Sequence, residues 1–583
     1  MTSVAATTFA LRVFVVLAAA QFANVTTVGW PAAGDVPGWF GQDAAVALLA
    51  AAAATLAARR SRRAPAVLFA LVALYAALGV AFVSVLGSPP TAPMLRGLDA
   101  AMGDSVAAHL TFAALALPCA VLVVAACAWR TLHVSRNGAL AMLGAIAALG
   151  IGVGAARSPA HRNAAWTFAR SLGDRYGAEA STSTFRPSRA ATLERGLGGL
   201  RGAGRGRDVV VVVLESVAPR FLAPYGAAAD PMPFVTRLGA RGIRCDNAYA
   251  VYPESIKGQI ALFHAVHPAP GTSAEDYAAI PVPALATLLT DAGYATALFH
   301  SGRFRFLGMA AVLTRSGFAH RADAAVIGGE VESSFGVDEE STVDALLRWV
   351  DAQPPSRPFC AAYLPVAGHH PYAHPGGPFA DDSMLGSYRN AIHYADRAIA
   401  RLWRGLEARG RAERTLLCIV GDHGQAFGEH AGNFGHTFFV YDENVRVPLW
   451  FVAPGLTDRA GPIVVDRVVS HVDVVPTLLD ILGIEPHPSH EGVSLLDPSE
   501  RPALFFADWG SGWLGMRDGP TKLVVDVDTG RTSAFDLVRD PHESDDVAAD
   551  PARRVDVDAA ATLLRRWSRS QRAAVAAFVR SRP

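Results

Sequence analysis

Lysine is almost missing from this 583-residue chain: of 52 basic residues only Lys257 and Lys522 are lysines. Cysteine is nearly as scarce. The five present, Cys119, Cys127, Cys245, Cys360 and Cys418, form no Cys-x-x-Cys pair, so neither a disulfide framework nor a thiolate zinc site is signalled. Cys119 and Cys127 lie in an apolar run and Cys418 in a strand-like one, where a thiol packs as a small hydrophobe. Charge is missing from one end. Residues 1–156 hold 12 charged side chains, roughly 8 %, whereas the other 427 residues hold 92, roughly 22 %. A net charge of zero with no long basic block excludes nucleic acid as a partner, and 51 % hydrophobic residues exclude intrinsic disorder.

The charge-poor end contains five apolar stretches, at about 8–27, 44–58, 65–87, 105–129 and 138–156, near the roughly 20 residues a spanning helix needs. The second is the weakest, being short and rich in alanine. No basic region precedes the first and further apolar runs follow it, which does not fit a cleaved signal peptide. Arg59, Arg60, Arg62 and Arg63 fill one loop, and Arg130, His133 and Arg136 another; the alternate loops carry Asp35 and Asp43, then Arg96, Asp99 and Asp104. The positive-inside rule places the Arg-rich loops in the cytoplasm and everything after residue 157 outside. Arg157, Arg162 and Arg170 run against that rule, but Trp166, Phe168 and Leu172 alternate with them, a pattern that predicts an amphipathic helix on the headgroups. Residues 197–207, with five glycines, read as a flexible linker. A phosphate loop is excluded there, because no Gly-Lys-Ser/Thr follows.

From residue 208 short β-branched runs alternate with helical periods. Strands are expected at 208–214, 294–299, 359–366, 415–420 and 448–453, with helices near 231–241, 256–265, 282–292, 338–352, 384–409 and 471–482. Fully apolar strands separated by helices predict a mostly parallel sheet sandwiched by helices. Ligands of such sheets bind beyond the carboxyl ends of the strands. Glu215-Ser216 follow the first strand, and Gly421-Asp422-His423-Gly424 follow the 415–420 run, with Gly428-Glu429-His430 and Gly435-His436 close behind. Tyr252-Pro253-Glu254-Ser255-Ile256-Lys257-Gly258 breaks at the proline and then opens a helix, making Ser255 a candidate N-cap facing an anion. Glu215, Asp422 and His423 offer a hard oxygen and nitrogen set suited to Zn²⁺ or Mn²⁺. A metal beside Ser255 would make its hydroxyl a nucleophile, and Lys257 would neutralise a phosphoryl or sulfuryl oxygen.

These motifs resemble the alkaline phosphatase/sulfatase superfamily, and above all its membrane branch of lipoteichoic acid synthases and phosphoethanolamine transferases. The Gly421–His436 stretch is similar to the family's metal loop. Val447-Pro448-Leu449 and Ser470–Leu479 resemble its closing strand and helix, and Phe535–Glu543 the C-terminal subdomain of sulfatases. The resemblance implies a transmembrane domain over 1–156, a juxtamembrane segment and linker over 157–207, a sulfatase-like α/β catalytic domain over 208–500, and a C-terminal subdomain with a helix over 501–583. It implies that Glu215, Ser255, Asp422 and His423 bind a divalent metal, with Ser255 also the covalent nucleophile. Lys257 and His436 would act on the reacting group. His369 and His370, past the 359–366 strand, resemble a substrate-binding stretch; His300 is a further candidate, while His430 and His264 are expected to be bystanders.

One departure bears on the chemistry. Formylglycine sulfatases carry Cys/Ser-x-Pro-x-Arg, whereas this chain reads Ser255-Ile256-Lys257-Gly258-Gln259, and a single Glu215 stands where sulfatases have paired acids. An unmodified hydroxyl is the pattern of the phosphoryl-transferring branch. The expected activity is therefore transfer or hydrolysis of a phosphoryl-linked head group on an envelope lipid or glycan, from a multi-pass bacterial-type inner membrane protein with its catalytic domain outside. A sulfuric ester hydrolase is the first alternative, and a non-catalytic lipid-binding regulator the second.

Overall fold

The computed structural model describes the chain apart from residues 1–2, 32, 95–111, 134–140, 142, 149–157, 177–188, 191, 334, 459–460, 551–553 and 581–583. Four apolar helices come first: α1 (Ser3–Val28), α2 (Val36–Ala57), α3 (Ala64–Leu86) and α4 (Phe112–Thr131). The first three are long and apolar enough to cross a membrane. The second span is thus longer than its apolar run: it opens at Val36 with a proline in its first turn and carries Asp43 inside the bundle. The start of the fourth expected span and most of the fifth lie outside the described residues, as do Arg96, Asp99, Asp104, Arg136 and Arg157. Arg59, Arg60, Arg62 and Arg63 are exposed in the turn between α2 and α3. The opposite end of the bundle meets the rest of the protein. There Gly87, which closes α3 in a left-handed conformation, lies so close to Gly432 that a Cβ would overlap its carbonyl.

The short helix α5 (Ala164–Ser171), expected to be amphipathic, also acts as a bracket. The Tyr75 hydroxyl donates to the Ala164 carbonyl at 3.3 Å, so α5 is held against α3, while Trp166 and Leu172 stay exposed. Arg162, just before it, is buried between Asp526, Asp528 and Ser511 of the C-terminal region. The glycine-rich 197–207 stretch is not a free linker either. Leu197 and Leu200 are buried in the core of the soluble part, and the amides of Gly202 and Gly204 donate to Asp480 and Ile481 carbonyls at 2.8 Å. Its glycines permit turns that lie flat on a helix end.

The soluble part is built from β1 (Asp208–Leu214), β2 (Ile243–Tyr249), α6 (Ser255–His264), β3 (Ala295–His300), β4 (His320–Ala322), α7 (Glu339–Asp351), β5 (Phe359–Leu364), α8 (Met384–Ala408), β6 (Thr415–Gly421), β7 (Arg446–Val452), β8 (Ile463–Ser470) and α9 (Val474–Leu482). The eight strands run in the order β8-β2-β7-β6-β1-β5-β3-β4, all parallel except β7, which is antiparallel to both neighbours. All five expected strands are present. The three that the apolar-run criterion passed over, β2, β4 and β8, lie toward the sheet margins, where Arg244, Asp246 and Asp466 reach outward and break the apolar pattern. Every residue of β1 is buried, and helices cover both faces with separate apolar clusters.

A second, antiparallel sheet follows, with β9 (Ala503–Ala507), β10 (Trp513–Asp518), β11 (Thr521–Asp526) and β12 (Thr532–Asp536), and then α10 (Arg554–Arg580). Phe506, Leu514, Leu564 and Trp567 of this layer pack on Val251, Tyr252 and Ala261, which flank and build α6. The C-terminal layer therefore supports the helix on which Ser255 sits.

Candidate active site and metal centre

The carboxyl ends of β1, β3, β5 and β6 point to one edge of the sheet. That common direction brings Glu215, His300, His369, Asp422 and His423 together from positions up to 208 residues apart in sequence. Ser255 enters from α6. It is the first residue of that helix rather than its cap: the Glu254 carboxylate caps it, accepting from the amides of Ile256 at 2.9 Å and Lys257 at 3.3 Å. A glutamate at this place leaves the serine hydroxyl free of capping duty.

That hydroxyl lies among the predicted ligands. Ser255 Oγ is 2.7 Å from Asp422 Oδ2, 3.0 Å from Glu215 Oε2 and 3.4 Å from His423 Nε2. Glu215, Asp422 and His423 are all buried. Asp422 is aimed by its other oxygen, which accepts from the amides of His423 at 2.7 Å and Ser216 at 2.9 Å. Ser216 makes its bond from the left-handed region, φ 60°, unusual for a residue with a Cβ, and its hydroxyl donates to Glu215 Oε1 at 2.7 Å. Nothing in the sequence announced this role for Ser216. Gly368 has a legible reason: a Cβ there would overlap the Glu215 carbonyl.

Two buried carboxylates this close repel. Burial first, and then the Asp422 charge, push the Glu215 carboxyl well above its ordinary range. Among the described residues neither acid is paired with a lysine or arginine; the basic side chain beside them is the His423 ring, at 3.5–3.6 Å. One ligand atom each of Glu215, Asp422 and His423 lies within 4.8 Å of the others, and Glu215, His369 and His436 form a second such group. An acid pair without lysine or arginine, joined by an imidazole, is a donor set that a divalent cation satisfies.

The histidines share one tautomeric arrangement. Nδ1 of His423 meets the Gly424 carbonyl at 2.9 Å, that of His369 the His370 carbonyl at 2.6 Å, and that of His300 the Leu364 carbonyl at 3.0 Å. His436 Nδ1 meets Gln425 Oε1 at 3.3 Å, and the Gln425 amide nitrogen is in turn tied to Tyr372 Oη. Each Nδ1–H therefore donates to an oxygen and each Nε2 keeps a lone pair. Burial lowers the His369 imidazole to about 4 and also lowers His300; burial and the neighbouring imidazoles take His436 well below its ordinary value. The rings of His423 and His436 stand 4.1 Å apart, and those of His369 and His436 5.8 Å. His370 packs edge-on to Tyr372 at 5.3 Å, beside this group. Phe335, from a hairpin that the sequence reading passed over, packs tilted against His369 with ring centroids 4.0 Å apart.

Lys257 does not join this centre. Its ammonium is buried against Asp508 of the C-terminal layer at 2.7 Å, and lies 4.8 Å from the Tyr252 ring. Asp508 also accepts from Tyr252 Oη at 2.6 Å and the Gly271 amide at 2.7 Å. Burial would raise the Asp508 carboxyl, but the Lys257 charge and these donors hold it below its ordinary range. The expectation that Lys257 faces a phosphoryl oxygen is replaced by a buried anchor for α6. His430 and His264 lie apart, as expected: His430 pairs with Glu443 at 2.6 Å and His264 with the Val282 carbonyl at 2.8 Å.

Comparison with known proteins bears on the same residues. Residues 207–484 match the family model described as Sulfatase. An arylsulfatase of Clostridium perfringens is 30 % identical over 167 residues, covering 27 % of this chain and 34 % of that protein. Lipoteichoic acid synthase 2 of Bacillus subtilis is 22 % identical over 306 residues, covering 49 % of this chain and 46 % of that protein. The chain thus spans about a third to a half of the length of these curated relatives. A crystal structure of an alkaline phosphatase superfamily protein from Vibrio parahaemolyticus superposes with a TM-score of 0.53 at 18 % identity, over 68 % of this chain and 91 % of that one, and shows the common fold. Residues 207–484 are thus a sulfatase-type domain of the alkaline phosphatase superfamily.

Proposed function

We propose that this protein is a membrane-anchored, metal-dependent enzyme that transfers or hydrolyses a phosphoryl-linked head group of an envelope lipid or glycan through Ser255. The observation that carries the reading is the position of Ser255 Oγ, within 3.4 Å of both acids and the His423 ring. Glu215, Ser255, Asp422 and His423 would hold the divalent cation, Zn²⁺ or Mn²⁺. When bound it would supply positive charge that favours the serine alkoxide and the developing phosphoryl charge.

The chain's own residues account for the remaining steps. Ser255 Oγ bonds to phosphorus while the bond to the leaving oxygen breaks, giving a phosphodiester on the serine; the hydroxyl proton has an acceptor in place in Asp422 Oδ2. In the second step water or a glycan hydroxyl attacks phosphorus and the Ser255 Oγ–P bond breaks. The neutral Nε2 atoms of His369 and His436 suit acceptance of that nucleophile's proton, so His436 serves the second displacement as a base rather than the first as an acid. His300 and His370 complete the polar wall for the substrate.

The bundle would keep the site beside its lipid and raise the local concentration of substrate. Its Arg-rich turn lies at the end away from the soluble part, which supports an extracytoplasmic catalytic domain. The arylsulfatase relative favours sulfate-ester hydrolysis as the second reading. Mass spectrometry of the Ser255 peptide after a short incubation with membrane lipid separates the two. Phosphate with an attached head group supports the proposal; formylglycine at 255 supports the sulfatase; neither, together with no bound metal, overturns both.

A further inference from the structure

The end of the bundle nearest the soluble part contains a small cavity in which a few polar side chains interrupt an apolar lining, and none of its residues belongs to the catalytic centre. Gln21 and Asn24 of α1, Asp43 of α2 and Gly79 of α3 line it, and Arg162 and Asn163 roof it. A charged residue inside a span is costly and is retained where it has a task. Asp43 is fully buried. One of its oxygens accepts from Asn163 Nδ2 at 2.6 Å, and the other meets no hydrogen-bond donor among the described residues. Gln21 Oε1 and Asn24 Oδ1 are likewise buried without partners, while their amide nitrogens face the His161 and Ala160 carbonyls at 3.5 Å.

Three unsatisfied acceptor oxygens around one space call for an occupant that is all donor or cation. The space has room for about one water-sized occupant, which excludes a lipid headgroup. One carboxylate balances one positive charge, and two amide oxygens with a carboxylate oxygen are hard ligands. We propose that Asp43, Gln21 and Asn24 form a binding site for a single alkali-metal cation at the junction between the membrane bundle and the soluble part. Because Asn163 and Arg162 close it from above, and Arg162 is tied to Asp526, cation binding would tighten the bracket that joins the two parts.

The test is thermal unfolding of the full-length protein in nanodiscs, at constant ionic strength and constant divalent metal, with Na⁺ or K⁺ replacing N-methylglucamine. The wild type and Asp422→Asn, which alters only the proposed divalent site, should both gain about 2–4 °C in Tm with the alkali cation. Asp43→Asn should lose that response. If Asp43→Asn does not fold, Gln21→Leu and Asn24→Leu keep the carboxylate and should weaken the response at least tenfold in cation concentration. A Tm equal in all three cations, or a response that survives these substitutions, overturns the site and leaves a protonated Asp43.

Discussion

The acid cluster and the histidine wall share one pocket and are built on opposite electrostatic plans. Glu215 and Asp422 are buried together with too much negative charge, and Glu215 is pushed up as a result. His300 is buried and His369 and His436 half-buried where protonation is penalised, so they stay neutral, each with one nitrogen tied to an oxygen. The first arrangement waits for a cation, and the second offers lone pairs. Under the proposed function the hydroxyl between them would meet both needs of phosphoryl transfer, positive charge and a proton acceptor.

The comparison can be broken most severely at the acids. Asp422→Ala should remove stoichiometric metal and cost about 10⁴-fold or more in turnover, read by elemental analysis and a lipid-release assay. His436→Gln should leave metal on the acid cluster and cost about 10²–10³-fold in kcat. If it strips the metal as completely as Asp422→Ala, the two groups are one site and the division fails.

Lys257 gives a third, smaller effect of a different kind. Lys257→Met leaves Asp508 buried and unpaired, so stability should fall by about 3–5 kcal/mol in chemical denaturation. Turnover should drop only about 10–100-fold, with metal retained, because Ser255 shifts with its helix. A loss as deep as that of Asp422→Ala would return Lys257 to the reacting group.

A pair away from the site sharpens the contrast least but tests its basis. Burial would raise the Glu491 carboxyl, but His267 at 2.6 Å and Gln571 bring it from 4.5 to about 2. A lowered folded-state value means that the stability Glu491 contributes is present above pH 4.5 and is lost as pH falls toward 2. Glu491→Gln should flatten that acid limb of the unfolding curve and leave kcat at neutral pH nearly unchanged.

Much of this was legible before any coordinates. Apolar runs without charge placed the central strands correctly, because strands buried on both faces tolerate nothing else. Asp422-His423 between glycines at a strand end, and Glu215 at another, were found by the rule that such sheets work at their carboxyl edge. What stayed hidden was direction. Lys257 is two residues from Ser255, yet on a helix that spacing turns the side chains about 200° apart, and only the C-terminal layer shows Asp508 waiting on the far side. The role of Ser216 depends on a positive φ, and the tautomers depend on carbonyls of Leu364, Gly424 and His370, which carry no side-chain signature. The linker was misread because a glycine-rich composition describes what a segment tolerates rather than what it rests on.

The scarcity of charge in the first 156 residues pointed by itself to helices able to span a membrane, since burying each charge in hydrocarbon is expensive. Residue types and strand-end spacing likewise decided which side chains were available for chemistry. Tertiary structure alone decided which of them meet, because contact over two hundred residues is set by strand order and helix packing. The same packing turned Lys257 into an anchor and left Asp43 beneath its roof with an oxygen unsatisfied.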